Sequence, residues 1–275
     1  FKEISGAIFK IFGTLTLNAN AVFGFLNITS TGNLTMELGA NITVQNDFYC
    51  ANITTLTNHT YVGGNLIVGT GCVLTVANGM SLTVADRTTI NNGGTLNGGT
   101  GSMSFGTLTI NAGGIYNATT GTTTLTGGSG VYYSPGSTLY NLGTINHNGG
   151  TITLIRTSGD ASITSTSPFY NLNISILSYI YVNTIINVTN DLNQNGGSLI
   201  SSANGYQNLT VTRNVTILNG ASVGSAVSDN DAYRWDYITI GGNLLANSGS
   251  NLRGGRTQTN ITGRATVSGS VTFAT

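Results

Sequence analysis

The sequence predicts an all-β protein, a right-handed parallel β-solenoid. Three observations predict it: apolar residues recur two apart in short segments along the whole chain, glycine and asparagine separate the segments, and charge is almost absent. Spacing two places both side chains on one face of a strand. The pairs run Leu15/Leu17, Leu34/Met36, Ile42/Val44, Leu66/Val68, Leu74/Val76 and Leu82/Val84. They continue as Leu108/Ile110, Ile152/Leu154, Ile174/Ile176, Leu209/Val211, Val215/Ile217 and Ile238/Ile240. Threonines between them favour extended backbone and tolerate water.

Glycine, a polar residue and an aliphatic open many of these units, as in Gly13-Thr14-Leu15, Gly32-Asn33-Leu34, Gly64-Asn65-Leu66, Gly94-Thr95-Leu96 and Gly242-Asn243-Leu244. Glycine and asparagine both reach positive φ and so turn a chain sharply at a corner. The 19 residues from Gly13 to Gly32 and the 30 from Gly64 to Gly94 suit coils of two or three short strands. Tandem β-sandwiches would also show short strands at regular spacing. Roughly twenty strand-like segments are many for one sandwich, and corners of like residues suit stacked coils. At about 4.8 Å per coil, ten or so coils would make a rod of roughly 50 Å.

Residues 1–12 read differently. Ile4, Ile8, Ile11 and Phe12 share one helical face, with Lys2, Glu3 and Lys10 elsewhere. The expectation is an N-terminal cap over the first coil, or an extended arm that adds a strand to a neighbouring subunit. Residues 13–275 form the solenoid domain.

Only 7 % of the 275 residues are charged, where an ordinary domain carries about 25 %. Glycine contributes 39, threonine 44, asparagine 34 and serine 24, yet 39 % are hydrophobic, too many for a disordered polar tract. Nine basic residues cancel nine acidic ones, and without a basic stripe nucleic acid is excluded as a partner. No apolar run approaches the eighteen or so residues of a membrane span. A neutral Asn/Thr/Ser/Gly surface has little self-repulsion and favours association. The chain starts at Phe1, as a processed form or a fragment would.

Two phrases carry a resemblance. Gly94-Thr95-Leu96-Asn97-Gly98-Gly99-Thr100-Gly101 followed by Gly106-Thr107-Leu108-Thr109-Ile110-Asn111 is the first, and Phe169-Tyr170-Asn171-Leu172-Asn173-Ile174 the second. Both resemble the β-helical repeats of prokaryotic cell-surface and adhesin-like proteins, over most of residues 13–220. The resemblance implies a parallel β-helix, secretion, and a role in adhesion or surface fibres. It carries no catalytic residue.

Cys50 and Cys72 are the only cysteines, 22 residues apart. On coils of about that length they stack with Cα atoms about 5 Å apart, within disulfide range. An even count in an exported chain agrees; two buried thiols are the other reading. With His59 the only histidine nearby, no metal site is expected. Asn-x-Ser/Thr triplets begin at Asn27, Asn33, Asn41, Asn52, Asn58, Asn117, Asn173, Asn187, Asn208, Asn214 and Asn260. Composition alone gives about eight, so their number is weak evidence; an exported archaeal or eukaryotic chain with this many acceptors is still expected to carry several glycans.

The stretch from Asp229 to Asp236 holds three of nine acidic residues and the only tryptophan. A loop there could bind calcium through Asp229 and Asp231, or a sugar against Trp235. An ordinary polar loop or an intersubunit contact is the favoured reading, and the spacing does not match the EF-hand calcium loop. The remaining carboxylates are scattered, His59 and His147 sit among Asn and Thr, and no nucleophile elbow or phosphate loop occurs, so no enzyme and no cofactor are expected.

The expected role is a structural subunit of an extracellular filament or cell-surface layer, a homo-polymer. Arg253, Arg256 and Arg264 near one end against Glu3, Glu37 and Asp47 near the other suit head-to-tail growth. The alternative is an adhesin or viral receptor-binding fibre that recognises surface glycans through the Trp235 loop.

Overall fold

A computed structural model describes residues 7–37, 39–127, 137–156, 159–202, 207–224, 235–253, 258–268 and 270–272. Among them every strand pairing with a resolved register is parallel, no helix occurs, and the strands stack as a β-solenoid of about 11 turns. Antiparallel tandem sandwiches are thereby ruled out. The chain divides into two units, residues 1–131 with 141–150 and residues 132–140 with 151–275.

In the first unit each coil contributes to three sheets. The first sheet stacks Ile8–Ile11, Phe25–Ile28, Phe48–Cys50 and Leu66–Val68, then the ends of Leu82–Ile90 and Met103–Ile110. The second pairs Thr14–Leu17 with Asn33–Met36, and separately stacks Thr54–Leu56, Val73–Val76, Thr95–Asn97, Ile115–Asn117 and Thr144–Asn146. The third stacks Ala21–Phe23, Ile42–Val44, Thr60–Val62, the beginnings of the two long strands, and Thr122–Leu125. Leu82–Ile90 serves two sheets because its register breaks between Val84 and Arg87, which turns the strand round a corner.

The second unit repeats the plan. Its first sheet is Thr151–Arg156, Asn171–Ile176, Leu192–Asn195, Val215–Leu218, Leu244–Ala246 and Ala265–Val267. Its second runs from Ala161–Ser165 through Tyr179–Val182, Ser198–Ser201, Ser222–Val223 and Asn251–Arg253 to Ser270–Thr272. Its third is Ile186–Val188, Asn208–Val211, Tyr237–Ile240 and Gln258–Ile261.

Alternation puts one face of the strands inside, with Gln258–Ile261 and Ala265–Val267 as exceptions. All twelve spacing-two pairs point inward and are buried, with Leu15 of the first coil half-buried. They form columns such as Val44–Val62–Val84–Phe105–Leu125 in the first unit and Leu172–Leu192–Val215–Leu244 in the second. Truncating any one of these residues to alanine costs about 2–5 kcal/mol, because neighbouring coils hold the cavity open. Corners stack as well: Cys72, Gly94 and Gly114 each donate a backbone N–H to the residue three earlier, closing turns one above another. The third residue of each turn, Gly71, Gly93 and Gly113, has φ of 80°, 72° and 81°, where a Cβ would be strained.

Residues 8–11 correct the expected N-terminal element. Ile8–Ile11 is a strand of the first coil, paired with Phe25–Ile28 of its own chain, so it belongs neither to a helical cap nor to an arm reaching for a neighbour. Phe9 and Ile11 face the interior with period two, and the period of 3.6 came from too short a run to separate the two. The solenoid therefore begins before residue 13; residues 1–6 lie outside the described residues.

Candidate functional site

What the fold builds at its surface is a set of polar columns, one residue per coil. Asp47 Oδ1 accepts the backbone N–H of Asn65 at 2.7 Å and its Nδ2 at 3.0 Å; Asn65 Oδ1 in turn accepts the N–H of Arg87 at 3.3 Å. The second unit repeats the device over more coils. Asn171 Oδ1 receives Asp191 N at 3.3 Å, Asp191 Oδ1 receives Asn214 N at 3.1 Å, Asn214 Oδ1 receives Asn243 N at 3.0 Å, and Asn243 Oδ1 receives Arg264 N at 2.9 Å. Each side chain thus satisfies the corner N–H of the next coil, a donor that the sheet ladder leaves over. An asparagine can accept from one side and donate to the other. Arginine cannot accept, so the column of the first unit stops at Arg87.

A second column lies on the outer face of the second sheet of unit 1. Asn97 donates to Thr75 Oγ1 at 3.0 Å, Asn117 to Asn97 at 2.6 Å and Asn146 to Asn117 at 2.7 Å. Such amide ladders are familiar from stacked in-register strands. Sequence reading missed these columns, although the Gly-Asn-Leu phrases at Gly64 and Gly242 were the signal of the two at the corners.

Cys50 and Cys72 form a disulfide with Cα atoms 5.8 Å apart, and both are fully buried. The link is diagonal, since the register partner of Cys50 is Val68; Cys72 sits at the following corner. It ties adjacent coils of the first unit.

The sequons separate by environment. Asn33, Asn41, Asn187 and Asn260 are exposed. Asn58 is a correction: it is 4 % exposed, donates Nδ2 to Glu37 O at 2.7 Å and accepts Gly39 N at 2.9 Å, so its amide belongs to a corner and not to the surface. Asn52 donates to Gly32 O, Asn117 and Asn214 are held in the columns above, and Asn173 accepts from Asn193 at 2.9 Å. Asn27 and Asn208 are half-buried on strands.

Trp235 is a second correction. Its indole is fully buried, with Nε1 lacking any hydrogen-bond partner among the described residues, so no ring face is open to a sugar. A large apolar ring two residues before a strand is taken up by the packing rather than left in solvent. Asp229 and Asp231 lie outside the described residues. Among the described residues no group of three His, Cys, Asp or Glu side chains is placed to hold a metal ion, and no helix is long and apolar enough to cross a membrane. His59 Nδ1 accepts the backbone N–H of Ser81 at 3.1 Å and lies 2.8 Å from Ser81 Oγ, a corner acceptor like the asparagines.

The ends of the two units differ. In the first coil of unit 1, Ile11, Leu17, Ala21 and Phe23 are buried, and the rings of Phe9 and Phe23 lie 5.2 Å apart, filling its cross-section. In the last coil of unit 2, Ala265 and Val267 occupy the inward register over buried Leu244 and Ala246, yet both are exposed. Comparison with known proteins finds no matching family model, no matching curated protein and no matching solved structure, so this chain is placed by its fold alone, a parallel β-solenoid.

Proposed function

We propose that the chain is a structural subunit of an extracellular filament or cell-surface layer, in which copies add head to tail by stacking coil on coil. The observation that carries this reading is the stacking itself: every pairing with a resolved register is parallel and joins one coil to the next, the same edge that one copy would offer another. Contact through two different surfaces is heterologous and generates open fibres. A disulfide between adjacent coils and a nearly uncharged surface suit an exported, associating protein. In this reading the mechanism is mechanical: backbone bonds run from coil to coil and on across each junction.

Electron microscopy and sedimentation of the purified chain test it. Filaments with a fixed axial repeat are expected, and Val267→Glu is expected to leave folded monomers, because a carboxylate cannot be buried unpaired at the junction. A wild-type chain that stays monomeric at every concentration tried would overturn the reading, as would undiminished fibres from the glutamate variant.

A further inference from the structure

The surroundings of the sequons divide them. Attachment of an oligosaccharide needs an asparagine Nδ2 that reaches solvent and is not the donor holding a corner together. Asn33, Asn41, Asn187 and Asn260 meet both conditions: each is exposed, and none donates a side-chain hydrogen bond among the described residues. Three of the four face outward from strands, Asn33 in Asn33–Met36, Asn187 in Ile186–Val188 and Asn260 in Gln258–Ile261. Asn187 and Asn260 stand in one column with Thr210 and Thr239 between them. At about 4.8 Å per coil they are roughly 14 Å apart, room for two glycan chains side by side.

We infer that Asn33, Asn41, Asn187 and Asn260 are N-glycosylation sites, and that Asn52, Asn58, Asn117 and Asn214, whose Nδ2 groups donate to partners, are structural asparagines which stay bare. The inference rests on the reading of the chain as exported. The donor is a lipid-linked phospho-oligosaccharide: Nδ2 attacks the anomeric carbon, the sugar–phosphate bond breaks, the lipid phosphate leaves and Nδ2 gives up one proton. At Asn58 the same step would break the Nδ2 bond to Glu37 O and force a sugar into a site 4 % exposed. At Asn117 and Asn214 it would displace the ladder partners Asn97 and Asp191. In the second unit the glycans therefore gather on the outer face of the third sheet, while Asn214 of the first sheet stays bare.

The full chain, expressed behind a secretion leader in an N-glycosylating host, tests this. Its folded, protease-resistant fraction is recovered from medium and cells alike. Enzymatic glycan release in heavy-oxygen water converts each occupied asparagine to labelled aspartate, which mass spectrometry counts site by site. Label is expected at Asn33, Asn41, Asn187 and Asn260 and at none of the four structural positions Asn52, Asn58, Asn117 and Asn214. Asn→Gln at any of the four removes one glycan mass and leaves the circular dichroism unchanged, whereas Asn58→Gln removes none and lowers the denaturation midpoint. Label at Asn58, Asn117 or Asn214 in the folded fraction, or none at the four exposed sites, overturns the inference. Microscopy of the same material reads assembly separately: glycosylated monomers refute the filament alone, and bare filaments refute the glycan sites alone.

Discussion

Removing one rung of the corner column in the second unit should be felt at a single neighbouring amide. Asn214 accepts the N–H of Asn243 at 3.0 Å and donates Nδ2 to Asp191 Oδ1 at 2.9 Å. Asn214→Ala deletes both bonds. A neutral bond is worth about 1 kcal/mol and one to a carboxylate about 1.5–3 kcal/mol, but Asn214 is half-buried and Asn243 exposed, so water replaces part of each. The net expectation is about 2 kcal/mol, read as a lower guanidinium midpoint. The local readout is sharper. Hydrogen exchange at the Asn243 amide should accelerate about fivefold, the equivalent of about 1 kcal/mol, while amides of the first unit stay unchanged. Asn214→Asp separates the two bonds. It keeps the acceptor, so Asn243 stays protected, but sets a second carboxylate against Asp191 and lowers the midpoint at least as far as alanine does. If Asn243 exchanges at the wild-type rate in Asn214→Ala, the column does not hold the corner and the reasoning fails.

Three further outcomes follow from the same coordinates. Reduction of the Cys50–Cys72 bond, or its replacement by two alanines, should cost about 3 kcal/mol, the chain-entropy value for a closed loop of 22 residues, seen in denaturation with and without reductant. Gly101→Ala should lower the melting temperature strongly, because a Cβ there collides with the Met80 carbonyl oxygen of the coil below; Gly220→Ala, open but at φ 72°, should cost less. Burial pushes the Tyr116 phenol above its ordinary value of 10.0, partly opposed by its 2.7 Å bond to Thr123. A raised folded value means stability is full below about pH 10 and falls as the pH climbs toward the folded value. Tyr116→Phe should flatten that alkaline loss in a melting series between neutral and strongly alkaline pH.

The inward columns were legible because spacing two is a strong local signal, and each of the twelve pairs could be read without knowing its neighbours. Gly94 was legible as a corner for the same local reason. Ile8–Ile11 was not, since four residues carrying Ile8, Phe9 and Ile11 satisfy a helical stripe and a strand equally well, and only pairing with Phe25–Ile28 decides. The buried Asn58 and Trp235 were misplaced because polarity and aromaticity say what a side chain prefers, while its neighbours on other coils say what it gets. Asn214 illustrates the same limit from the other side: its sequon is visible in three letters, whereas its duty to Asn243 depends on a residue 29 positions away.

Register partners lie on successive coils throughout each unit, so no coil depends on one two steps removed for its backbone pairing. A gene that gains or loses one whole repeat therefore meets no new kind of junction, since the incoming segment greets the same asparagine shelf and the same aliphatic floor as the one it follows. Evolution can tune such a protein's reach by duplication alone, and damage to one rung is confined to the rungs it touches.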